Sequence, residues 1–337
     1  DSLDEQTHGA APSWTRHDVE FIRGDVADPA MWKVAVRGMD YISHQAAFGG
    51  FTPAWSRYLE TNALGTVRMF EAIRDTRADI GKIAVASSQA VYGEGLVVCP
   101  KHGTVSPMSR TRNACMLGNW EPMCSHDDCG RVVSPKQTHE DAPLSPRTMY
   151  GVSKLAEEQT ALVLGRQLGI QTVALRYAVT YGPGQSLRDP YTGIVPIFAS
   201  RLRQGRPVAI YEDGQQTRDF IAVADVARAN WDALSFWPGG VYNVGTGRGT
   251  TVLELLRALA RALGVEAAAS FIGYRPGDVR HLIHDPSKAM RYGWSPQIGL
   301  EDGLRAFANW FADQPEVDNG FDAAEQELAE AGVLVRG

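Results

Sequence analysis

"KIAVASSQAVYGEG", residues 82 to 95, decides the fold. The apolar run from Lys82 to Ala86 reads as a strand, and it ends in the small and hydroxyl-bearing residues of "SSQAVYG" (87–93). Working outward, Val19–Arg23, Asp40–Ser43 and Thr172–Leu175 read as further strands. The stretches around Pro29–Arg37, Pro53–Arg74, Pro146–Leu168 and Ala224–Ser235 read as helices. This alternation predicts βαβ units, hence an α/β fold with a doubly wound parallel sheet and helices on both faces. Ligands of such a sheet collect at the carboxyl ends of its strands, which places "SSQAVYG" at the site.

Beyond about Gly182 the pattern breaks into Pro- and Gly-punctuated pieces such as "YGPGQ", "EDGQQ" and "RPGD". They indicate a smaller, loop-rich lobe closing over the sheet. The reading is a nucleotide-binding domain over 1–181 with an insertion at about 95–140, a substrate lobe over 182–316, and a tail over 317–337. In that tail Phe321–Ala331 reads as an acidic, solvated surface helix. A net charge of −6 without any basic run argues against nucleic acid as partner. No apolar run reaches the roughly 18 residues of a membrane span, and no signal-peptide pattern is present. A cytoplasmic protein is expected.

"YGVSK" (150–154) opens a predicted helix and sets Tyr150 and Lys154 one turn apart on one face. An ammonium beside a phenol favours the phenolate, which suits a base working near neutral pH. Alone the pair is weak: with 11 tyrosines in the chain, Tyr-x3-Lys arises by chance about 0.2 times.

It does not stand alone. In order, "GDV" (24–26), "HQAA" (44–47), "TNALGT" (61–66), "SSQAVYG", "YGVSK", "LRYAVTYGPGQ" (175–185), "TRDF" (217–220), "YNVGTG" (242–247) and "RPGD" (275–278) resemble the extended short-chain dehydrogenases/reductases that act as nucleotide-sugar epimerases and dehydratases. The resemblance covers roughly Asp1 to Asp313. It implies Ser88, Tyr150 and Lys154 as the catalytic set, with NAD as cofactor. Asp25 and Val26 would lie at the adenine, Ala46 and Ala47 along the dinucleotide, and Asn62 near the nicotinamide. Tyr177 joins the cofactor set, and Lys154 would also hold the nicotinamide ribose. Arg218 and Arg275 would grip the substrate diphosphate, where a guanidinium fork matches phosphate oxygens, and Asp278 would orient the site. The helices Pro53–Arg74 and Pro146–Leu168 are those this family pairs into a homodimer.

The chain also departs from the family pattern. Family members open with a strand, a G-x-x-G-x-x-G turn and a helix that cradle the pyrophosphate. This chain starts at Asp1, which matches the acidic residue ending the second strand and favours NAD over NADP. The expectation is a Rossmann-like domain that is N-terminally incomplete, a fragment or processed product with weak NAD binding and little activity. "GTGRG" (245–249) lies in the second lobe and is a poor candidate for a phosphate loop. Val179 stands where the family usually has Asn, and Ala222 and Ala224 replace customary polar residues.

A dehydratase needs an acid/base pair directly after the active-site hydroxyl residue; here Gln89 and Ala90 stand there and transfer no protons. The plain Ser-Tyr-Lys set favours a 4-epimerase working through a transient 4-keto sugar. The insertion, "SLRDPYTGIVPIF" (186–198) and "IYEDGQQTRDF" (210–220) look most like the dTDP-L-rhamnose 4-epimerase branch, so a dTDP- or UDP-sugar is the expected substrate. A nucleotide 4-keto-sugar reductase, or a nucleotide-sugar binding protein without turnover, is the alternative.

Ser88 and Tyr150 are 62 positions apart, some 35 to 40 more than the family's usual spacing, and the added segment holds all four cysteines. Cys99-x2-His102 and Cys124-x4-Cys129 form two ligand pairs suited to a structural Zn²⁺. Metal binding would supply folding free energy to a loop too polar for its own core. His126 or Asp127 could stand in for one ligand, and Cys115 reads as a buried bystander. Four free thiols or a disulfide is the alternative. Trp120 is the segment's one large apolar anchor, and the insertion is expected to roof the sugar pocket.

Overall fold

The computed structural model describes residues 1–8, 18–191, 193–317 and 320–336. Four parallel strands, β1 (Tyr41–His44), β2 (Lys82–Ser88), β3 (Gln171–Tyr177) and β4 (Gly240–Val244), pair in that order. Side chains alternate across β3. Val173 and Leu175 pack with Val226, Ala229 and Ala233 of helix Val223–Ser235 and with Trp237 and Trp294. Ala174 faces the opposite core, where α1 (Pro29–Ala35), α2 (Gly65–Thr76) and α3 (Met149–Leu168) contribute Trp32, Phe70, Ile73 and Ala161. Burying each large apolar side chain stabilises the fold by roughly 1.5–3 kcal/mol. Helix α1 starts where Asp28 accepts from the Ala30 N–H at 2.8 Å and Pro29 fixes the first turn.

Two predicted elements differ. Val19–Arg23 forms no strand: among the described residues its neighbourhood bonds Asp1 through Ile22 O and Gly24 N, and no ladder is formed. The predicted helix Pro53–Arg74 is three pieces: an α-turn Trp55–Tyr58, a π-helical segment Leu59–Leu64, and α2. The π segment buries Asn62 completely.

In the second lobe Gly249–Thr251, Thr217–Ala222, His281–His284 and Gln137–Thr138 form a sheet in that order, with Val179–Tyr181 paired to Thr217–Ala222. Its core includes Phe198, Leu202, Phe220, Leu255, Leu259 and Phe307.

The C-terminal helix and the insertion exchange the roles expected of them. Helix α4 (Phe321–Glu330) is no free surface helix: Ala324 and Leu328, one turn apart, are buried against the lobe. Its Asp322 pairs with Arg201 at 2.6 Å and with Arg206, and Tyr191 bonds Glu327. The insertion builds a small sheet from Val97–Cys99, Gly103–Val105 and Ser134–Pro135, with a core of Val97, Cys99, Cys124 and Val133. Trp120 packs against Tyr274 of the second lobe with its ring tilted, ring centres 5.8 Å apart. The insertion therefore flanks the lobe, and none of 95–140 lines the main cleft.

Candidate active site

A cleft of about 370 Å³ opens between the carboxyl ends of the strands and the second lobe. Ser88, Gln89, Ala90 and Tyr150 line one side; Arg218, Arg275 and Asp278 line another; Phe321, Ala324, Glu325 and Leu328 of α4 form a wall. Strand alternation explains why Ser88, and not Ser87, reaches the cleft. Ser87 Oγ donates inward to Glu158 at 2.6 Å, and Glu158 is bonded in turn by the buried Arg176 at 2.7 Å. Tyr92 is equally structural, with its hydroxyl on Asn243. Ser88 ends β2 opposite Tyr177 and accepts from Ala90 N at 3.1 Å.

Thr148 caps α3 by accepting from Gly151 N at 3.1 Å, which sets Tyr150 in the first turn. Gly151 allows this turn to lie against the Ser88 loop: a Cβ there would stand 2.7 Å from Ala90 O. Lys154 lies deeper on α3. Its ammonium is 1% exposed and donates to Glu157 at 2.6 Å. Burial pushes the Glu157 carboxyl up to about 7 against the opposing charge of Lys154. The second Glu157 oxygen has no partner.

The residues expected at the cofactor gather along the same edge. Asp1 sits beside Ile22 and Gly24, next to Asp25 and Val26, though its carboxylate accepts from Leu3 N at 2.7 Å. Val26 O accepts from Trp32 Nε1, and Asp25 from Ala27 N, both at 2.8 Å. Ala46 and Ala47 follow β1 in a loop that Asn62 fastens: its amide exchanges bonds with Phe48 N at 2.7 Å and Phe48 O at 3.0 Å. Asn62 also donates to Ser153 at 2.8 Å, so its polar atoms serve the scaffold. The Tyr177 hydroxyl bonds Gln45 and Asn230, each at 2.8 Å, and burial raises its pKa. His44, at the end of β1, is pushed down to about 3 by burial and by the charge of Lys154.

Asp278 joins the two arginines, accepting from Arg275 at 2.8 Å and from Arg218 at 3.2 Å. Burial opposes its ionisation, but the charges of Arg275 and Arg218 prevail and hold it below the usual carboxylate range. The Arg275 guanidinium is sandwiched between Phe51 at 4.0 Å and Tyr211 at 4.4 Å. Sequence reasoning did not single out Phe51 and Tyr211, whose only signal is an aromatic residue beside a Gly-rich turn, and it read α4 as a surface helix and not as a wall of the cleft. "GTGRG" is confirmed as no phosphate loop, because the N–H groups of Thr246 and Gly247 are already taken by buried Asp219.

Outside the cleft, Cys99, His102, Cys124 and Cys129 converge, their ligand atoms all within 4.8 Å of one another. Cys99 Sγ lies 3.6 Å from Cys129 Sγ and 3.8 Å from His102 Nδ1, which lies 3.4 Å from Cys124 Sγ. A tetrahedron with Zn–S near 2.3 Å has edges of about 3.8 Å, so the spacing fits. His126 stacks on His102, and Cys115 is buried in the short helix Arg112–Met116, outside the cluster.

Comparison with known proteins places the chain's likeness in one family. The model of the NAD dependent epimerase/dehydratase family matches residues 3–117 and 127–245. A dTDP-L-rhamnose 4-epimerase of Burkholderia thailandensis is 32% identical over 330 residues, 95% of this chain and 89% of that relative. A putative UDP-glucose 4-epimerase of Methanocaldococcus jannaschii is 30% identical over 296 residues, 86% of this chain and 83% of the relative. Among solved structures, the Thermus thermophilus UDP-glucose 4-epimerase in complex with NAD superposes with a TM-score of 0.72 at 31% identity, covering 89% of this chain and 87% of that one.

Proposed function

The chain belongs to the NAD dependent epimerase/dehydratase family, and from that premise we propose that it is a nucleotide-sugar 4-epimerase acting on dTDP-L-rhamnose or a related dTDP- or UDP-sugar. The observation that carries this reading is one cleft holding Ser88, Tyr150 and the Arg218–Asp278–Arg275 clamp, with Gln89 and Ala90 where elimination of water would need an acid and a base.

Arg218 and Arg275 hold the diphosphate, which directs the sugar toward Ser88 and Tyr150. Tyr150 exchanges a proton with the C4 hydroxyl, and Ser88 hydrogen-bonds the same oxygen. Lys154 would hold the ribose of NAD. Lys154 has Glu157 as its one side-chain partner among the described residues, so N–H groups are left for ribose hydroxyls. When bound, NAD supplies reversible hydride transfer at C4. Between the two transfers the keto sugar turns about its anchored diphosphate and presents its other face.

Cys99, His102, Cys124 and Cys129 would hold a Zn²⁺, and its role would be structural, since four protein ligands leave no position open for substrate. Thiolate ligands persist in a reducing compartment, consistent with a cytoplasmic protein. Among the described residues, no helix is long and apolar enough to cross a membrane. Exposed Leu64, Val152 and Val163, in the π segment and on α3, support a homodimer through that surface.

The test is incubation with NAD⁺ and dTDP-L-rhamnose, with sugar products resolved by NMR. A C4 epimer supports the reading. A Tyr150→Phe variant is expected to lose about 10²–10⁴-fold in kcat and to keep dTDP binding. Net reduction of a 4-keto sugar, or binding without product, overturns it.

A further inference from the structure

We infer that Arg110, carried by the insertion, is a positioning residue for the Arg218–Asp278–Arg275 clamp, and that closure of the Cys99–His102–Cys124–Cys129 cluster tunes nucleotide-sugar affinity through it. This rests on the epimerase reading above. The Arg110 side chain is 6% exposed although it belongs to an added loop. One of its terminal nitrogens donates to the backbone oxygen of Asp278, the residue that joins the two clamp arginines. The other donates to Glu212 at 2.6 Å and to Trp120 O at 3.3 Å, while Nε reaches Glu94 at 3.3 Å.

Glu212 is the second point of contact with the clamp. It follows Tyr211, the ring beneath Arg275, and adopts φ +55°, a left-handed conformation that costs a non-glycine residue strain. Two guanidiniums hold it there: Arg110, and Arg280 at 2.9 Å. Removing Arg110 thus frees the Asp278 backbone on one side of Arg275 and loosens Tyr211 on the other.

The link back to the cluster is short. Met108, two residues before Arg110, donates its N–H to Met123 O at 2.9 Å, and Met123 directly precedes Cys124. Glu121, from the same turn, bonds Arg280 at 2.6 Å and His281 at 2.9 Å. The insertion's own core is small, and two of its four fully buried members are Cys99 and Cys124 themselves, so ligand closure at Cys124 adds to the bonds that fix this turn.

The test uses full-length, metal-loaded protein and compares wild type with Arg110→Met and Arg110→Lys. Kd for dTDP, KM and kcat for the nucleotide sugar, and zinc content are measured. Loss of charge-assisted bonds at the clamp is expected to raise Kd and KM about tenfold in Arg110→Met, with kcat within about threefold and zinc content unchanged. Arg110→Lys keeps the charge without the fork and is expected to recover part of the loss. Stripping zinc from wild type with a chelator should weaken dTDP binding by a similar factor, and stripping Arg110→Met should add little, because the two changes act through one path. Kd and KM within twofold of wild type in Arg110→Met overturn the proposal, as do stripping and substitution effects that multiply. If Arg110→Met does not fold, stripped wild type decides: unchanged dTDP affinity overturns it. Wild type that binds dTDP normally without epimerising any sugar overturns the epimerase reading while leaving the clamp result to stand.

Discussion

Arg275 donates to the Asp278 carboxylate at 2.8 Å, from a guanidinium held flat between the rings of Phe51 and Tyr211. The stacking needs a planar cation, and the bond to Asp278 leaves the remaining N–H groups of the fork for phosphate oxygens. Lysine offers charge without the plane or the fork. Arg275→Lys is therefore expected to raise KM for the nucleotide sugar roughly ten- to a hundredfold, in parallel with Kd for dTDP. Steady-state kinetics and calorimetric titration check this; a KM within twofold of wild type means that Arg275 does not hold the diphosphate.

Gly151 sets how closely Tyr150 approaches Ser88. An added Cβ at 2.7 Å from Ala90 O meets backbone, which cannot rotate away. Gly151→Ala must then push α3 back from the loop after β2. Overpacking of this kind costs about 1–3 kcal/mol. The displacement is expected to hurt the reaction more, since a shift of about 1 Å between reacting groups costs on the order of a hundredfold in rate. Urea unfolding and kcat measured side by side give the answer. Wild-type kcat with a reduced unfolding midpoint would make Gly151 a packing residue only.

The four sulfur and nitrogen ligands predict about one equivalent of zinc in purified protein. Cys124→Ser is expected to lower it well below half an equivalent and to lower the melting temperature, because the insertion has little other core. Cys115→Ser should leave zinc content unchanged, as Cys115 lies outside the cluster. Metal analysis by mass spectrometry distinguishes them. Equal zinc in both variants, or under a tenth of an equivalent in wild type, rejects the metal site.

The parallel sheet and the cysteine cluster were legible because each rests on local spacing, apolar runs in one and ligand pairs in the other, whereas Ser88 and Tyr150 were picked out by the family resemblance and not by spacing. What escaped was set by contacts distant in sequence. Val19–Arg23 has strand-like residues, but a strand exists only with a neighbour to pair it. The acidic face of Phe321–Glu330 pointed to solvent until Arg201 and Arg206, over 110 residues earlier, supplied partners for Asp322. The insertion's polar sequence suggested a roof over the cleft. Its Arg110 and Glu121 instead pair with Glu212 and Arg280 on the lobe's flank, and Glu121 also bonds His281. A single sequence shows which charges exist, and not which of them meet.

Two buried histidines predict how the fold responds to acid. Burial pushes His284 down to about 3, with the charge of Arg176 acting in the same direction, and neither of its ring nitrogens has a hydrogen-bond partner. His44 is held at about 3 by burial and Lys154. Their folded-state pKa values lie below the unfolded value of about 6.5, so on acidification the unfolded chain takes up these protons first. The stability that the neutral rings contribute is full above about 6.5 and falls as pH drops toward 3. The slope is about 1.4 kcal/mol per pH unit for each histidine. Urea midpoints measured from pH 7.5 to pH 5 are expected to decline. His284→Phe, which keeps a planar ring beside Tyr92 and removes the titrating group, is expected to flatten that decline markedly. Burial raises Glu157 to about 7, so the folded chain takes up that proton first and gains stability on acidification, which offsets about one histidine's slope. Wild type and His284→Phe share Glu157, so the difference between their two profiles reports His284. A decline that His284→Phe leaves untouched shows that the His284 ring is not neutral in the fold.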